Sequence, residues 1–280
     1  MRAFRLAYDG RPFYGFQRQP DVPTVEDTLF DALRSLSVLS TDASRPVGYA
    51  AAGRTDTGVS AVAQTVAFDA PEWLKPRVLN SELPGTIRAW ASADVDDDFH
   101  ATHHAVRREY SYRLYAPQHE AQSFDGRPPV DADRAAAALT ALCGSHDFHN
   151  LTPDDEGTRR GLSGWVDRDG EFLLIEFAAG GFARELVRRL VSVIRLVGTG
   201  HRDVAWIENL LGPEPVEQRP PAAPPEPLLL SDVRYPGVDF ERDPEAAESG
   251  AVAFGERAIE SQARSRVSRA VVDRLRGGDQ

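Results

Sequence analysis

The segment GRTDTGVSA (53–61) sets Arg54 and Asp56 two residues apart between Gly53 and Gly58. Glycines permit backbone angles that other residues avoid, so such a loop can thrust a side chain into a cleft. A carboxylate placed there is suited to nucleophilic or general-base chemistry. An isolated G-x-x-D-x-G is more often an ordinary turn in which the aspartate bonds to its own backbone, and by itself the pattern is weak. It is not a phosphate loop, because Val59 and Ser60 stand where Lys and Ser/Thr would have to follow the second glycine. AAGGFARE (178–185) does not match a dinucleotide fingerprint either, so no nucleotide cofactor is expected.

Two further segments could serve a carboxylate at a cleft. In GFARELVRRLVSVIRLVG (181–198), Leu186, Leu190, Val193 and Val197 fall on one side of a helix, and Arg184, Arg188 and Arg195 form a cationic stripe on the other. An arginine beside a cleft carboxylate favours its charged form. FHATHHAVRREYSYRLY (99–115) mixes cations with stacking rings, a combination that suits RNA. Tyr110 and Tyr112 share one strand face, with core packing the stronger expectation for Tyr112. A rival use is a metal site built from His100, His103, His104, His146 and His149 with Asp96, Asp97, Asp98 or Asp147. No H-E-x-x-H pair supports it.

The elements around these segments read as β-α-β-β-α-β, twice. Alternation in Phe4, Leu6 and Tyr8 marks an opening strand, and Thr24 caps a helix carrying Val25, Leu29, Leu33 and Leu36 on one face. Strands are expected near Pro46–Ala51, Val62–Phe68 and Ile87–Asp94, with a short helix around Trp73–Leu79. The second half repeats the order: strand Tyr110–Tyr115, helix from Asp131 to Leu142 with Gly144 at its C-terminal stop, strands near Gly161–Val166 and Glu171–Ala178, helix Ala183–Val197 and strand Leu228–Tyr235. The fold class is therefore α+β: two ferredoxin-like halves with antiparallel sheets meeting at a central cleft. Residues 1–105 form the half with the aspartate loop, 106–238 the half with the tyrosine strand and arginine helix, and 239–280 an acidic linker with a terminal helix marked by Ile259, Ala263, Val267 and Val271. The proline-rich stretch 212–227 is expected to be a solvated, semi-extended connector.

Composition narrows the class further. With 280 residues and 41% hydrophobic content the chain can bury two ordinary cores. It shows no membrane span or signal peptide, which predicts a cytoplasmic protein. One cysteine, Cys143, supports neither an internal disulfide nor a thiolate metal site. The net charge of −11 has the wrong sign for bulk attraction to a polyanion. Lys75 is the sole lysine, so nearly every cation is arginine. A high-salt cytoplasm, where the Debye length falls to about 3 Å, would screen that repulsion. A GC-rich genome would equally favour arginine.

Taken in order, these segments resemble the tRNA pseudouridine synthase A family. YDGRPFYGFQRQP (8–20) looks like its opening strand and loop, TVEDTLFDAL (24–33) its first helix, and GRTDTGVSA its catalytic loop. NSELPGTI (80–87), DDFHA (97–101), FARELVRRLV (182–191) and APPEPLLLSDVRYPG (223–237) follow in family order, covering roughly residues 3–237. The resemblance implies isomerisation of uridine to pseudouridine at tRNA positions 38, 39 and 40 without a cofactor, by a homodimer that cradles tRNA. It implies that Asp56 is the nucleophile, Tyr110 stacks on the target base, Arg188 pairs with Asp56, and Arg54 helps displace the flipped uridine. Thr102, Glu109 and Ser60 depart from the family's pattern, which bears on tRNA grip and position preference. A noncatalytic RNA-binding protein of the same fold is the other use of these features.

Overall fold

A computed structural model describes residues 1–119, 123 and 127–277. The first half runs β1 (Arg2–Tyr8), α1 (Val25–Ser35), β2 (Ala50–Ala51), β3 (Ser60–Phe68), α2 (Pro76–Leu79) and β4 (Ile87–Asp94). The second runs β5 (Arg107–Tyr115), α3 (Ala132–Leu142), β6 (Gly144–Asp147), β7 (Arg159–Asp169), β8 (Phe172–Ala179), α4 (Leu186–Gly198), α5 (Ala205–Leu211) and β9 (Leu228–Arg234). Strand β10 (Glu241–Arg242) and the long helix α6 (Pro244–Leu275) complete it.

Strand order explains how two repeated units make one molecule. The sheet runs β10-β4-β1-β3-β9-β5-β8-β7-β6, with β2 paired to β3 off that path. Within each half the first strand lies between the last and the third, as β4-β1-β3 and as β9-β5-β8, which is the order of a β-α-β-β-α-β unit with antiparallel neighbours. The halves join edge to edge rather than as two facing sheets. Their seam is short: β3 and β9 pair in parallel only at Ser60↔Leu229 and Ala61↔Leu230. Further along, the same edge of β3 is taken by β2, at Ala50↔Ala67 and Ala51↔Val66. The loop between β2 and β3, which carries Asp56, therefore emerges where two partners of one strand diverge.

Local chemistry accounts for the elements that flank this point. Thr24 caps α1 by accepting from the Asp27 N–H at 3.1 Å, and Asp131 caps α3 in the same way through Arg134. Two apolar clusters fill the interior. Phe4, Phe16, Phe30 and Phe68 lie in the first, and Phe148, Phe177, Leu190 and Ile194 in the second. Each receives a residue from across the seam, since Leu230 and Val233 of β9 pack in the first and Val59 in the second.

Several expectations need correction. Only Ala50–Ala51 of the stretch from Pro46 is a strand: Pro46 has no N–H to donate, and Gly48 turns the chain at φ +67°. Helix α2 starts at Pro76 rather than Trp73, with proline in the first turn where its missing N–H costs nothing. Helix α4 starts at Leu186 because Glu185 is left-handed at φ +60°, which removes Arg184 from the helical stripe. Gly144, at φ +109°, does mark the α3 stop just past the Cys143 cap, and it also begins the unexpected strand β6. The stretch 212–227 is a largely exposed connector, as expected, but it is tied down at its buried Pro220 and Ala223. Proline-rich backbone carries carbonyls without matching N–H donors, and Arg188, Arg189 and Tyr112 donate to those of Ala223, Pro220 and Pro224. Among the described residues no helix is long and apolar enough to cross a membrane.

Candidate active site

The aspartate loop is held from below by the opening segment. Phe16 N–H donates to the Thr55 carbonyl at 3.1 Å and Gly58 N–H to that of Phe13 at 3.4 Å. A Cβ at Gly10 would lie 2.1 Å from the Val59 carbonyl oxygen, so only glycine lets these two loops meet. Tyr8 and Thr55 share a buried hydroxyl hydrogen bond at 2.8 Å, and Gln64 Nε2 donates to the Gly53 carbonyl at 2.8 Å. Burial raises the Tyr8 phenol well above its usual range, so this bond joins two neutral hydroxyls.

So clamped, the loop does turn on itself, with Val59 N–H reaching the Asp56 carbonyl at 3.1 Å and Gly58 at φ +81°. The Asp56 side chain instead crosses the cleft: its Oδ2 lies 3.2 Å from Nη1 of Arg188, 132 residues away along the chain. Arg188 is aimed by its Nε, which donates to the Ala223 carbonyl at 2.6 Å, and it retains 17% side-chain exposure. A guanidinium fixed from behind presents its charge without reorganising. Replacing Arg188 with Met should slow turnover about 10²-fold while leaving tRNA affinity within a few-fold, read by single-turnover kinetics and filter binding.

Tyr110, on β5, is half-buried and meets Phe182 edge-on, with centroids 5.2 Å apart and planes at 89°. Its phenol is pushed up to about 12, first by burial and then by the Asp56 charge, with Arg108 pulling the other way. Tyr110 is therefore a neutral phenol at physiological pH. Tyr112, two residues on, is 2% exposed and packs in the core with its hydroxyl on the Pro224 carbonyl. Arg54 is exposed on the cleft wall.

The cleft measures about 1280 Å³ and is bordered by Tyr14, Arg18, Arg45, His100, Asp154 and Arg184 besides the residues above. That is more space than a single small-molecule site needs, which is roughly 300–1,000 Å³. Asp56, Arg54, Tyr110 and Arg188 thus share one cavity. The histidines have other partners: His100 meets His103 ring to ring at 4.2 Å and donates its backbone N–H to His104 Nδ1, His146 bonds to the Cys143 carbonyl, and His149 pairs with Asp147. Among the described residues no three His, Cys, Asp or Glu side chains converge as metal ligands.

The three departures have structural partners. Thr102 donates to the Ala51 carbonyl at 2.6 Å, Ser60 accepts from Gly10 N–H at 3.0 Å, and Glu109 bridges Arg107 and Arg234 at 2.7 Å each. Sequence reasoning missed Phe182, Arg108 and the Glu185–Arg189 pair that fixes the turn into α4. For Arg108 a signal existed, since the two-residue period places it on the strand face of Tyr110 and Tyr112.

The sequence profile described as tRNA pseudouridine synthase matches residues 138–236. A protein from Natronomonas pharaonis named tRNA pseudouridine synthase A is 55% identical over 273 residues, covering 97% of this chain and 98% of its own. One of the same name from Haloarcula marismortui is 51% identical, covering 98% and 100%. Another, from Archaeoglobus fulgidus, is 38% identical over 86% of each chain.

Proposed function

The chain belongs to the tRNA pseudouridine synthase A family, and on that footing we propose that it isomerises uridine to pseudouridine at positions 38, 39 and/or 40 of tRNA with Asp56 as nucleophile. The observation that carries the reading is the Asp56–Arg188 pair, made between the two halves inside the one cavity that also holds Tyr110.

The reaction breaks the N1–C1′ bond, turns the uracil, and joins C5 to C1′. No electrons are gained or lost, and the proton that leaves C5 is matched by one taken up at N1, so the chain's own side chains suffice and no cofactor is needed. A uridine paired in the anticodon stem must first leave the helix, at a cost of a few kcal/mol offset by stacking and backbone contacts in the cavity. On this reading Arg54, exposed at the cleft, helps displace the flipped uridine. Asp56 then attacks, at C6 of the uracil or C1′ of the ribose, or removes a sugar proton. Tyr110 holds the detached ring against its own face while it turns, and, being a neutral phenol, its hydroxyl can take the C5 proton only as a relay that passes its own proton to a carboxylate such as Asp56. Arginines on the wall, Arg18, Arg45 and Arg184, give phosphate contacts that a net acidic protein could not supply by bulk charge. We take the working unit to be a cytoplasmic homodimer, as the family resemblance implies.

The test is direct. Purified protein incubated with an unmodified tRNA transcript should yield carbodiimide-dependent reverse-transcription stops at positions 38, 39 or 40. Transcripts without new stops, at enzyme excess and across salt concentrations, would reject the assignment. A noncatalytic binder would retain tRNA and give none.

A further inference from the structure

We propose that Arg108 is a positioning residue that ties the Asp56 loop, the Phe-His-Ala segment and the entrance to the arginine helix into one rigid wall of the cleft. This rests on the functional reading above. Arg108 lies on β5 next to the seam and is 8% exposed. Its guanidinium makes five hydrogen bonds, all to backbone carbonyls. Nε and Nη2 reach Ala52 at 3.1 and 2.7 Å, Nη2 also reaches Thr102 at 2.7 Å, and Nη1 reaches Ala105 at 3.4 Å and Gly180. Ala52 opens the Asp56 loop, Thr102 and Ala105 end the segment that leads into β5, and Gly180 begins the turn into α4.

Every N–H of the fork is thus spent on a chain segment, and among the described residues no carboxylate pairs with it. A buried cation without a counter-ion is costly unless its donors are fully used. Lysine, with three donors on a flexible stem, cannot reproduce a planar five-donor fork. The nearest functional group feels the charge: Arg108 pulls the Tyr110 pKa down while burial and Asp56 push it up. A Cβ added at Gly53 would come 4.0 Å from Arg108 Nε, which places the fork against the first residue of the catalytic loop. Arg188 fixes Asp56 from the α4 side, and Arg108 fixes the same loop and the approach to α4 from beneath.

Arg5 supplies the comparison. It is also buried, at 9%, and also bonds to backbone, at Ala63 and Val233, but it packs over Phe240 beside Asp232 and neither of those partners borders the cleft, whereas Thr102, held by Arg108, does. Arg108→Lys and Arg5→Lys would be compared for melting temperature, tRNA Kd, single-turnover rate at enzyme excess, and amide exchange. Both should lose thermal stability. Only Arg108→Lys should slow single turnover, by at least about 30-fold with Kd within about threefold, and speed amide exchange across residues 53–58 and 180–185. A single-turnover rate within about threefold of that of Arg5→Lys, or unchanged exchange in those two segments, overturns the proposal. If Arg108→Lys does not fold, Arg108→Gln is measured in the same way, and failure of both to fold assigns Arg108 a purely structural role. Should the wild-type protein itself form no pseudouridine in tRNA, the functional reading fails, and the exchange data still decide whether Arg108 holds the wall together.

Discussion

Asp56→Asn should abolish tritium release from tRNA carrying 5-tritiated uridine, by at least about 10⁴-fold, as expected when a nucleophile that works as part of a unit is removed. The change is isosteric and leaves an oxygen that can still accept from Arg188 at the 3.2 Å site. The loop itself is held elsewhere, by Tyr8, Gln64 and the 10–16 segment. Folding and tRNA binding should therefore survive, with Kd within about threefold of wild type. Loss of activity together with loss of binding would mean that Asp56 only shapes the cleft. Full activity would end the assignment.

Tyr110→Phe separates the two roles given to that residue. Phenylalanine keeps the ring that meets Phe182 edge-on and deletes only the hydroxyl. If the hydroxyl takes part in moving the C5 proton, product formation and tritium release should fall by about 10²–10⁴-fold while binding is retained. The pH dependence follows from the ionisation of this phenol, which lies at about 12. A raised value keeps the group protonated at every pH below it, so the wild-type profile between pH 6 and 10 should carry no limb due to Tyr110. An alkaline limb near pH 10 that disappears in Tyr110→Phe would contradict the burial and Asp56 field that set this value. Unchanged turnover in Tyr110→Phe would leave the residue a stacking surface only.

What could be read in advance divides along physical lines. Helices α1 and α3 and strand β4 carry their own punctuation, a capping Thr or Asp or a clean two-residue alternation, and were legible to within a residue. The pairing of Asp56 with Arg188 was legible only through the ordered family motifs, since nothing local links positions 132 residues apart. The elements that escaped depend on tertiary partners. Strands β6 and β10 are four and two residues long and exist because a neighbour pairs with them, as does β2, which was expected but extended too far back, to Pro46. The role of 212–227 depends on donors from α4 and β5, which its own composition cannot announce. Helix α6 shows the converse. Its four-residue spacing of Ile259, Val267 and Val271 predicted a helix correctly, yet those side chains are 70%, 66% and 53% exposed. Period reports a helical face, not what that face touches.

The short seam has a consequence in the time of synthesis. Strand β9 is made after every other strand of the repeated units, yet it lies in the middle of the sheet between β3 and β5. At about 5–20 residues per second, the earlier strands leave the ribosome well before it, and the edges of β3 and β5 wait unpaired, as templates for wrong neighbours. Until β9 arrives the first apolar cluster lacks Leu230 and Val233. A nascent chain stalled before Leu228 should thus hold two partly formed units that chaperones recognise. The last interval of translation, rather than the first collapse, brings Asp56 within reach of Arg188.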